Sequence, residues 1–237
     1  MTSRGETLAT ARRTGLTVAF IGADGAGKST VTARLATMEL GRPVKVIYMG
    51  VNLEASSLML PTTRLLLAVK LARGQRADMV ASPLRDVDTA HGPTSSLKEA
   101  VRLGVWMTEE WLRLAVAAHH VLRGHIVIFD RHFFADYYHA DVVRKGSRGS
   151  SARRLHGWVL RRAYPRPDLM IMLDAPPQRL FDRKQEATVE WLEDRRRQYL
   201  ELADVVPHFA VVDSDRPLDD VVAEAAELIT TTAEARP

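Results

Sequence analysis

The amino-acid sequence predicts an α/β fold in which a five-stranded parallel sheet carries helices on both of its faces. Two observations support this prediction. Short apolar runs alternate along the chain with segments whose apolar residues recur at helical spacing, as expected for a doubly wound sheet. No repeat and no linker-like change of composition divides the chain. We therefore expect a single domain over residues 16–237, preceded by a flexible tail over residues 1–15.

Composition limits the functions that the chain can have. Its 237 residues, 46% of them apolar, are enough to bury a full core. The net charge of +4 is modest and no aromatic-and-basic recognition motif is present, so we expect no nucleic-acid partner. The absence of cysteine excludes disulfides and cysteine-based zinc sites.

The sequence also predicts a cytoplasmic protein without a membrane partner. The apolar run over residues 65–71 is interrupted by Lys70 and is far too short to cross a bilayer. The polar tail over residues 1–15 lacks the apolar region of a secretory signal.

The segment from Val18 to Thr30 carries the clearest motif, with an apolar strand before its glycines and a helix-forming run after them. This is the context of the nucleotide-binding motif G-x-x-x-x-G-K-[ST]. Glycines permit positive φ and close backbone approach, so successive N–H groups can face one phosphate chain. Lys28 is expected to reach the β and γ phosphates, and the Ser29 hydroxyl to ligate Mg²⁺. We therefore predict that ATP and Mg²⁺ bind at Gly22, Asp24, Gly25, Ala26, Gly27, Lys28, Ser29 and Thr30.

Four further apolar runs are predicted to complete the sheet. Val44–Tyr48 alternates little, so we expect it to be buried on both faces. The other three runs end in charged or polar residues and span 125–132, 167–174 and 209–213. Open α/β sheets bind ligands at the carboxyl ends of their strands, which makes the residues at these ends candidates for a site.

Helices are predicted between the strands from periodicity and caps. They span about 30–40, 61–72, 96–124, 189–203 and 218–230, and a further helix starts at Pro176 and Pro177, where proline is tolerated. The first helix is closed by Gly41. The long helix opens on a Ser96-x-x-Glu99 capping box. The segments 75–93 and 144–154 have no clear period and are predicted to be loops.

Several segments, in the same order, resemble the thymidylate kinase family of P-loop kinases. FIGADGAGKST is similar to its phosphate loop, which typically has an acidic residue before G-x-G-K, and RGHIVIFDRH is similar to its strand ending in Asp-Arg-Tyr. PDLMIMLDAPPQRLFDRKQE resembles its proline-started helix leading to a basic lid, here about 179–190. RRRQYLELA and AVVDSDRPLDDVVAEAAELI resemble its closing segments. The resemblance covers about 16–50 and 105–232, and it implies a three-layer P-loop NTPase fold and an ATP- and Mg²⁺-dependent kinase.

The resemblance also implies roles for the residues at the strand ends. Asp130 would hold the Mg²⁺ shell through water, and Arg131 would clamp an acceptor or transferring phosphate. Asp24 resembles the loop carboxylate that faces the acceptor. The catalytic residues implied in this way, together with the lid arginine, are Asp24, Lys28, Asp130, Arg131 and Arg183.

The lid and the turn after the last strand are implied to complete the nucleotide site. Arg183, assisted by Arg179 or Lys184, looks like the lid cation that neutralises charge on the transferring group. The turn that contains Ser214 and Arg216 would pass under the adenine.

The acceptor half of the chain departs from the family pattern. MGVNLEASSLMLP replaces the family's acidic, proline- and glycine-bearing segment, and His132 replaces the tyrosine of Asp-Arg-Tyr. Glu109 falls near the position where thymidylate kinases carry an acceptor-binding arginine. We predict an acceptor site formed by Glu54, Glu109, Arg113 and Arg131. Since a phosphomonoester carries nearly two negative charges, these carboxylates predict that thymidine monophosphate is not the preferred acceptor.

Three functions remain open at this point. The first is a kinase of a nucleotide or nucleoside-like small acceptor. The second is a kinase of a non-nucleotide hydroxyl metabolite, in which Asp24 or Glu54 would help to remove the proton. The third is a nucleotide-binding switch without a small acceptor, although a switch has no use for an arginine-rich lid. Polyphosphate-using kinases of related fold are a lesser alternative to these three. The sequence leaves the acceptor, the donor base and the choice between monomer and homodimer undecided.

Overall fold

The described part of the protein is built on one five-stranded parallel sheet. The computed structural model describes residues 15–49, 93–143, 151–185 and 187–236. The strands are β1 (Leu16–Ile21), β2 (Val44–Tyr48), β3 (Ile126–Asp130), β4 (Leu169–Asp174) and β5 (Phe209–Asp213). They lie in the order β2-β3-β1-β4-β5, and every neighbouring pair is parallel. The predicted α/β class with a five-stranded parallel sheet is confirmed.

Seven α-helices accompany the sheet within the described residues. They are α1 (Lys28–Leu35), α2 (Pro93–Leu122), α3 (Phe133–Tyr138), α4 (Ser151–Arg162), α5 (Pro177–Arg183), α6 (Val189–Leu200) and α7 (Leu218–Glu234). A short π-helical segment, His139–Val143, follows α3, and a 3₁₀ turn, Glu201–Asp204, follows α6.

Two cores, one on each face of the sheet, give the fold three layers. Successive strand residues point to opposite faces, so Val18 and Phe20 of β1 pack with α1 and α7, whereas Ala19 and Ile21 pack on the side of α2, α3 and α4. Because the sheet is covered on both faces, its central strands are apolar runs rather than alternating ones.

Some predicted elements were wrong in their burial or bounds. β2 is not buried on both faces: only its residue Ile47 is buried, because β2 lies at the edge of the described sheet and pairs there only with β3 among the described strands. The first helix begins at Lys28 and ends at Leu35 rather than spanning 30–40. The long helix is described over Pro93–Leu122, so Ser96 lies inside it rather than at its start.

Three other predicted helices differ from the structure in where they end: the long helix ends at Leu122 rather than 124, α6 at Leu200 rather than 203, and α7 at Glu234 rather than 230. Helix α3 was not predicted, and residues 151–154 of the predicted 144–154 loop belong to α4. The predicted helix over 61–72 and most of the predicted 75–93 loop lie outside the described residues. Among the described helices, none is both long and apolar enough to span a membrane.

A crevice at the carboxyl ends of β1 and β3 follows from this topology. The two strands are neighbours whose register pairs Phe20 with Asp130. The chain leaves them in opposite directions, since α1 packs in the core on one face and α3 in the core on the other. Open α/β sheets bind ligands where neighbouring strands diverge in this way. The loop of residues 22–27 and residues 131–132 lie at this point.

Candidate functional site

The loop that joins β1 to α1, residues 22–27, requires glycine at two positions. Gly22 has φ 141° and Gly25 has φ 89°, conformations that L side chains rarely adopt. A Cβ on Gly22 would lie 2.4 Å from the carbonyl oxygen of Leu173, and one on Gly25 would lie 2.8 Å from that of Leu180. The loop is therefore packed closely against β4 and α5, an approach that glycine permits.

We expect Gly22→Ala to lower the free energy of unfolding by about 2 kcal/mol or more, because it adds both backbone strain and a steric clash. For a chain of this length that is a fall in Tm of roughly 4–8 °C, which thermal unfolding followed by circular dichroism measures. Gly41→Ala is the matched control, since Gly41 also has a positive φ of 72°, but a methyl group there would have no non-neighbouring atom of the described residues within 4 Å. Equal losses in the two variants would contradict close packing of the loop.

Lys28, the first residue of α1, is buried with its ammonium against the loop. Its Nζ donates hydrogen bonds to the carbonyl oxygens of Gly22, at 2.7 Å, and Ala23, at 2.9 Å, and only 6% of the residue is exposed. Burial, reinforced by the charge of Arg131, lowers the pKa of Lys28 to about 8, against the opposing attraction of carboxylates such as Asp24. Within the described residues the ammonium is held by carbonyl dipoles, so a charged anion would be a stronger partner for it.

The first turn of α1 has no side-chain cap among the described residues. Its N-cap, Gly27, is left-handed with φ 85° and ψ 13°. Ser29 and Thr30 are exposed, and the preceding Ala26 is buried. Helix N-termini leave backbone N–H groups unpaired and carry a partial positive charge. An anion at this end of α1 would meet those N–H groups together with the Ser29 hydroxyl.

Asp130 and Arg131 lie beside the loop at the carboxyl end of β3. Arg131 Nη2 forms an ion pair with Asp24 Oδ1 at 2.7 Å. Arg131 has φ 69°, the only positive φ of a non-glycine residue in the described chain, and backbone strain of this kind clusters at functional sites. Asp130 is 6% exposed, and its Oδ1 has no hydrogen-bond partner among the described residues. An unpartnered buried carboxylate oxygen is costly, and a bound cation would satisfy it.

The charges in this crevice act on one another. Burial alone would raise the pKa of the Asp24 carboxyl, but the ion pair with Arg131 and the charges of Lys28 and Lys184 bring it below its ordinary value. Burial acts to lower the pKa of Arg131, but the charges of Asp136 and Asp24 outweigh it and raise that pKa. Both members of the ion pair are therefore charged at neutral pH.

His132, which stands where the resembled family has tyrosine, is a core residue. Its ring packs edge-on against Phe129, at 5.1 Å between centroids, and against Tyr164, at 5.8 Å. Burial lowers the pKa of His132 to about 3, so its imidazole is neutral at physiological pH. Neither ring nitrogen has a hydrogen-bond partner within the described part of the chain.

Of the four predicted acceptor residues, the structure describes Glu109, Arg113 and Arg131. Glu109 and Arg113, one turn apart on α2, form an ion pair at 3.7 Å whose side chains are 2% and 0% exposed. Arg113 Nη1 also donates to the Tyr48 carbonyl oxygen at 3.4 Å, and burial, partly offset by Glu109, lowers the pKa of Arg113. Arg131 lies at the glycine-rich loop, and Glu54 lies outside the described residues.

The two predicted lid arginines share one carboxylate. Arg179 Nε lies 3.1 Å from Asp215 Oδ2, and Arg183 Nη2 lies 2.8 Å from Asp215 Oδ1. Arg183 Nη2 also donates to the Ser214 carbonyl oxygen at 3.2 Å. Solvent-exposed ion pairs contribute only about 0–1 kcal/mol, so an incoming phosphate could replace Asp215 as the partner of these arginines.

The turn after β5 is fixed to the end of β4. The backbone N–H and the hydroxyl of Ser214 both donate to the Asp174 carbonyl oxygen, at 2.7 and 2.9 Å. The Asp174 carboxylate accepts three hydrogen bonds in turn from Arg196, two of 2.8 Å and one of 3.0 Å. Arg216 is exposed and pairs with Glu224 of α7. The Ser214 hydroxyl therefore already donates its hydrogen bond to a backbone carbonyl. The turn also contacts the lid arginine Arg183.

Three residues that the sequence did not predict as site residues form a hydrogen-bonded cluster. Against the effect of burial, its carboxylate, Asp136, raises the pKa of Arg131. Asp136 Oδ1 accepts hydrogen bonds from Arg195 Nη2, at 3.0 Å, and from the Tyr199 hydroxyl, at 2.9 Å. The Arg195 guanidinium also lies over the Tyr199 ring, 4.5 Å from its centroid. The only signal for them in the sequence is a carboxylate within the short aromatic segment after Asp130 and Arg131.

The residues at the crevice fit a magnesium ion that is bound mainly by other ligands. No cluster of three His, Asp or Glu side chains suited to a metal occurs in the described ranges. Mg²⁺ needs only one or two protein ligands when phosphate oxygens and water complete its shell. The exposed Ser29 hydroxyl and the unpartnered Asp130 oxygen meet that requirement.

Comparison with known proteins adds no family to this description. No protein-family model matches the chain, and no curated protein matches it either. The function proposed below therefore depends on the residues of the site itself.

Proposed function

We propose that the chain is an ATP- and Mg²⁺-dependent phosphotransferase of the thymidylate kinase-like group that phosphorylates a nucleotide or nucleoside-like small acceptor. The observation that carries this proposal is the buried Lys28 ammonium, held by the carbonyls of a glycine-rich loop. Asp130 and Arg131 stand beside that loop on the neighbouring strand. Phosphoryl transfer requires these parts: a loop of N–H groups, a cation for the phosphates and a carboxylate for the metal shell.

In this proposal the donor phosphates lie against the glycine-rich loop. Backbone N–H groups at the start of α1 bind phosphate oxygens, and the Lys28 ammonium exchanges its carbonyl partners for the β and γ phosphates. Mg²⁺ supplies charge neutralisation on these phosphates when bound, with Ser29 as a ligand and Asp130 holding its water shell. Burial of Lys28 strengthens its attraction for the phosphates, because charges interact more strongly in a low dielectric.

Two arginines act on the transferring group from opposite sides in this proposal. We assign Arg131 to the acceptor side, and its ion pair with Asp24 supports this by orienting the guanidinium. Arg183 lies on the lid side and would leave Asp215 for the transferring phosphoryl group. Positive charge placed where negative charge develops is the main source of rate in such reactions.

The test is ADP release measured by a coupled assay with and without nucleoside monophosphates, nucleosides and phosphate-free sugars. We expect release to rise above the rate with water alone when a suitable acceptor is present, and omission of Mg²⁺ should abolish the increase. A nucleotide-binding switch uses no small acceptor. Slow release that no acceptor increases would therefore contradict the proposal.

We expect Arg183→Ala to lower kcat by about 10²–10³-fold, as for the loss of one preorganised donor, and to change ATP affinity much less. The reason is that its contact with the transferring group is made mainly in the transition state. Steady-state kinetics and ATP titration measure the two effects. Arg197→Ala is the control, because Arg197 is 65% exposed on α6 and lies 3.7 Å from Asp194. A normal kcat for Arg183→Ala would show that the arginine is only a surface charge.

A further inference from the structure

In Asp136 of α3, one carboxylate oxygen accepts hydrogen bonds from described residues and the other does not. Oδ1 accepts the hydrogen bonds of Arg195 and Tyr199, whereas Oδ2 has no hydrogen bond within the described residues. Arg195 Nη2 also donates to the Asp136 carbonyl oxygen at 3.3 Å. The Asp136 side chain is 13% exposed. Two donors on Oδ1 therefore fix the orientation of the carboxylate and leave Oδ2 as its remaining acceptor.

The charge of the Asp136 carboxylate acts on Arg131 and Lys28, which lie in the crevice at the glycine-rich loop. Burial tends to lower the pKa of Arg131, but the charge of Asp136, followed by that of Asp24, raises it. Asp136 likewise opposes the lowering of the Lys28 pKa by burial. Asp136 follows directly on β3 and the Asp130–Arg131 pair, so chain connectivity brings it to the same end of the sheet.

Two of the described arginines that interact with Asp136 are paired with carboxylates. Arg131 pairs with Asp24 at 2.7 Å, and Arg195 pairs with Asp136 at 3.0 Å. The proposed donor phosphates would take the Lys28 ammonium. An acceptor dianion that bound either of these arginines would have to break its ion pair and would stand next to a carboxylate, which is unfavourable in a partly buried site.

We propose that Asp136 Oδ2 binds and deprotonates a hydroxyl of the acceptor, so that the group phosphorylated is a neutral hydroxyl of a phosphate-free compound rather than a phosphate. This inference rests on the phosphotransferase function proposed above. An ionised carboxylate oxygen accepts hydrogen bonds and cannot donate them, which suits an alcohol as its partner. A carboxylate within hydrogen-bond reach of the reacting hydroxyl can act as its general base.

The reaction balances with ATP as the other substrate. The hydroxyl oxygen of the acceptor forms a bond to the γ-phosphorus while the bond from that phosphorus to the β–γ bridging oxygen breaks, and ADP leaves. The hydroxyl proton passes to Asp136 Oδ2 and then to solvent, so the products are the phosphate ester, ADP and one proton. Arg195 and Tyr199 are positioning residues. Burial, together with the charge of Asp136, raises the pKa of Tyr199, so its hydroxyl remains a donor.

The first test compares acceptor pairs that differ by one phosphate: thymidine and thymidine monophosphate, adenosine and adenosine monophosphate, glucose and glucose 6-phosphate, glycerol and glycerol 3-phosphate. We expect the phosphate-free member of each reacting pair to have the higher kcat/KM for ADP release by the wild-type chain. A preference for the phosphate-bearing members would overturn this inference and leave the phosphotransferase function standing. Failure of every compound to raise ADP release above the rate with water would count against both.

The second test uses Asp136→Asn, which keeps an oxygen for Arg195 and Tyr199 but removes the proton acceptor. We expect kcat with the best hydroxyl acceptor to fall by about 10²–10⁴-fold, with Tm and ATP affinity nearly unchanged. The ratio of kcat/KM for the phosphate-free acceptor to that for its phosphate-bearing partner should also become smaller, because the Asp136 charge that repels the phosphate is gone. Asp194→Asn, at a position 61% exposed on α6, is the control and should leave the rates unchanged.

A purely structural Asp136 predicts the opposite pattern. Tm would then fall in Asp136→Asn while kcat and the acceptor preference stayed at the wild-type values, and that result would overturn the proposal. The wild-type comparison of acceptor pairs requires no variant, so it tests the inference even if Asp136→Asn does not fold.

Discussion

Lys28→Ala is expected to fold normally and to lose phosphoryl transfer by about 10²–10³-fold, as for the removal of one preorganised donor. The Lys28 ammonium is buried and bonded to the carbonyl oxygens of Gly22 and Ala23. Without it, the charge on the β and γ phosphates would be uncompensated in a site of low dielectric. Circular dichroism measures the fold of the variant, and ADP release with the best acceptor measures the loss.

Lys45→Ala is the matched control for this prediction. Lys45 is exposed on the edge strand β2, so its removal takes away the same side chain without changing the crevice. We expect the control to keep the wild-type rate. A Lys28→Ala variant that phosphorylates the acceptor as fast as the wild type would show that the glycine-rich loop does not bind the transferring phosphates.

The largest expected effect on stability comes from the buried ion pair of α2. Arg113 is fully buried and lies 3.7 Å from Glu109, whose side chain is 2% exposed. Arg113→Met fills much of the volume but takes the arginine's positive charge away from the buried Glu109 carboxylate. Removing one partner of a buried ion pair costs about 3–5 kcal/mol. We expect a loss of that size in the free energy of unfolding, measured by urea denaturation.

The double variant Glu109→Gln/Arg113→Met separates packing from charge. With the negative charge of Glu109 also gone, it should recover a large part of the stability that Arg113→Met loses, since neutral replacements of buried ion pairs are often tolerated. The alternative role, in which Arg113 binds the acceptor, predicts a raised acceptor KM with stability unchanged. That outcome would show that Arg113 belongs to the acceptor site rather than to the core.

The sheet could be predicted from the sequence because three of its strands, β1, β3 and β4, are covered on both faces and are continuous apolar runs. The strand order could not, because it depends on which face each connecting helix packs against. The exposure of β2 was also not predicted. An apolar run in the sequence does not show whether its strand lies at the centre or at the edge of a sheet.

The glycine-rich loop was predictable because its geometry demands a particular composition. Gly22 and Gly25 have positive φ and approach the backbone of Leu173 and Leu180, so only glycine serves there. No comparable pattern in the sequence indicated that Asp136 belongs to the site. It lies on a short helix without a detectable period, and its partners Arg195 and Tyr199 are 59 and 63 residues away in the chain.

The buried face of α2 could not be predicted from its apolar residues. Leu112 and Val116 recur at helical spacing, yet both are only half-buried. Glu109 and Arg113, which an amphipathic pattern would place in solvent, are buried instead. A buried ion pair removes the contrast between charged and apolar residues on which such predictions depend.

The most direct test of the central claim is a calorimetric titration of the wild-type chain with the non-hydrolysable ATP analogue adenylyl imidodiphosphate, with and without Mg²⁺. We predict one site per chain with a Kd in the ordinary range of enzyme KM values, about 1 μM to 1 mM, that weakens without Mg²⁺. In Lys28→Ala the affinity should fall by about 10–100-fold, the equivalent of one hydrogen bond to a charged group. No saturable binding by the wild type, or equal binding by Lys28→Ala, would contradict the assignment of a nucleoside triphosphate site to the glycine-rich loop.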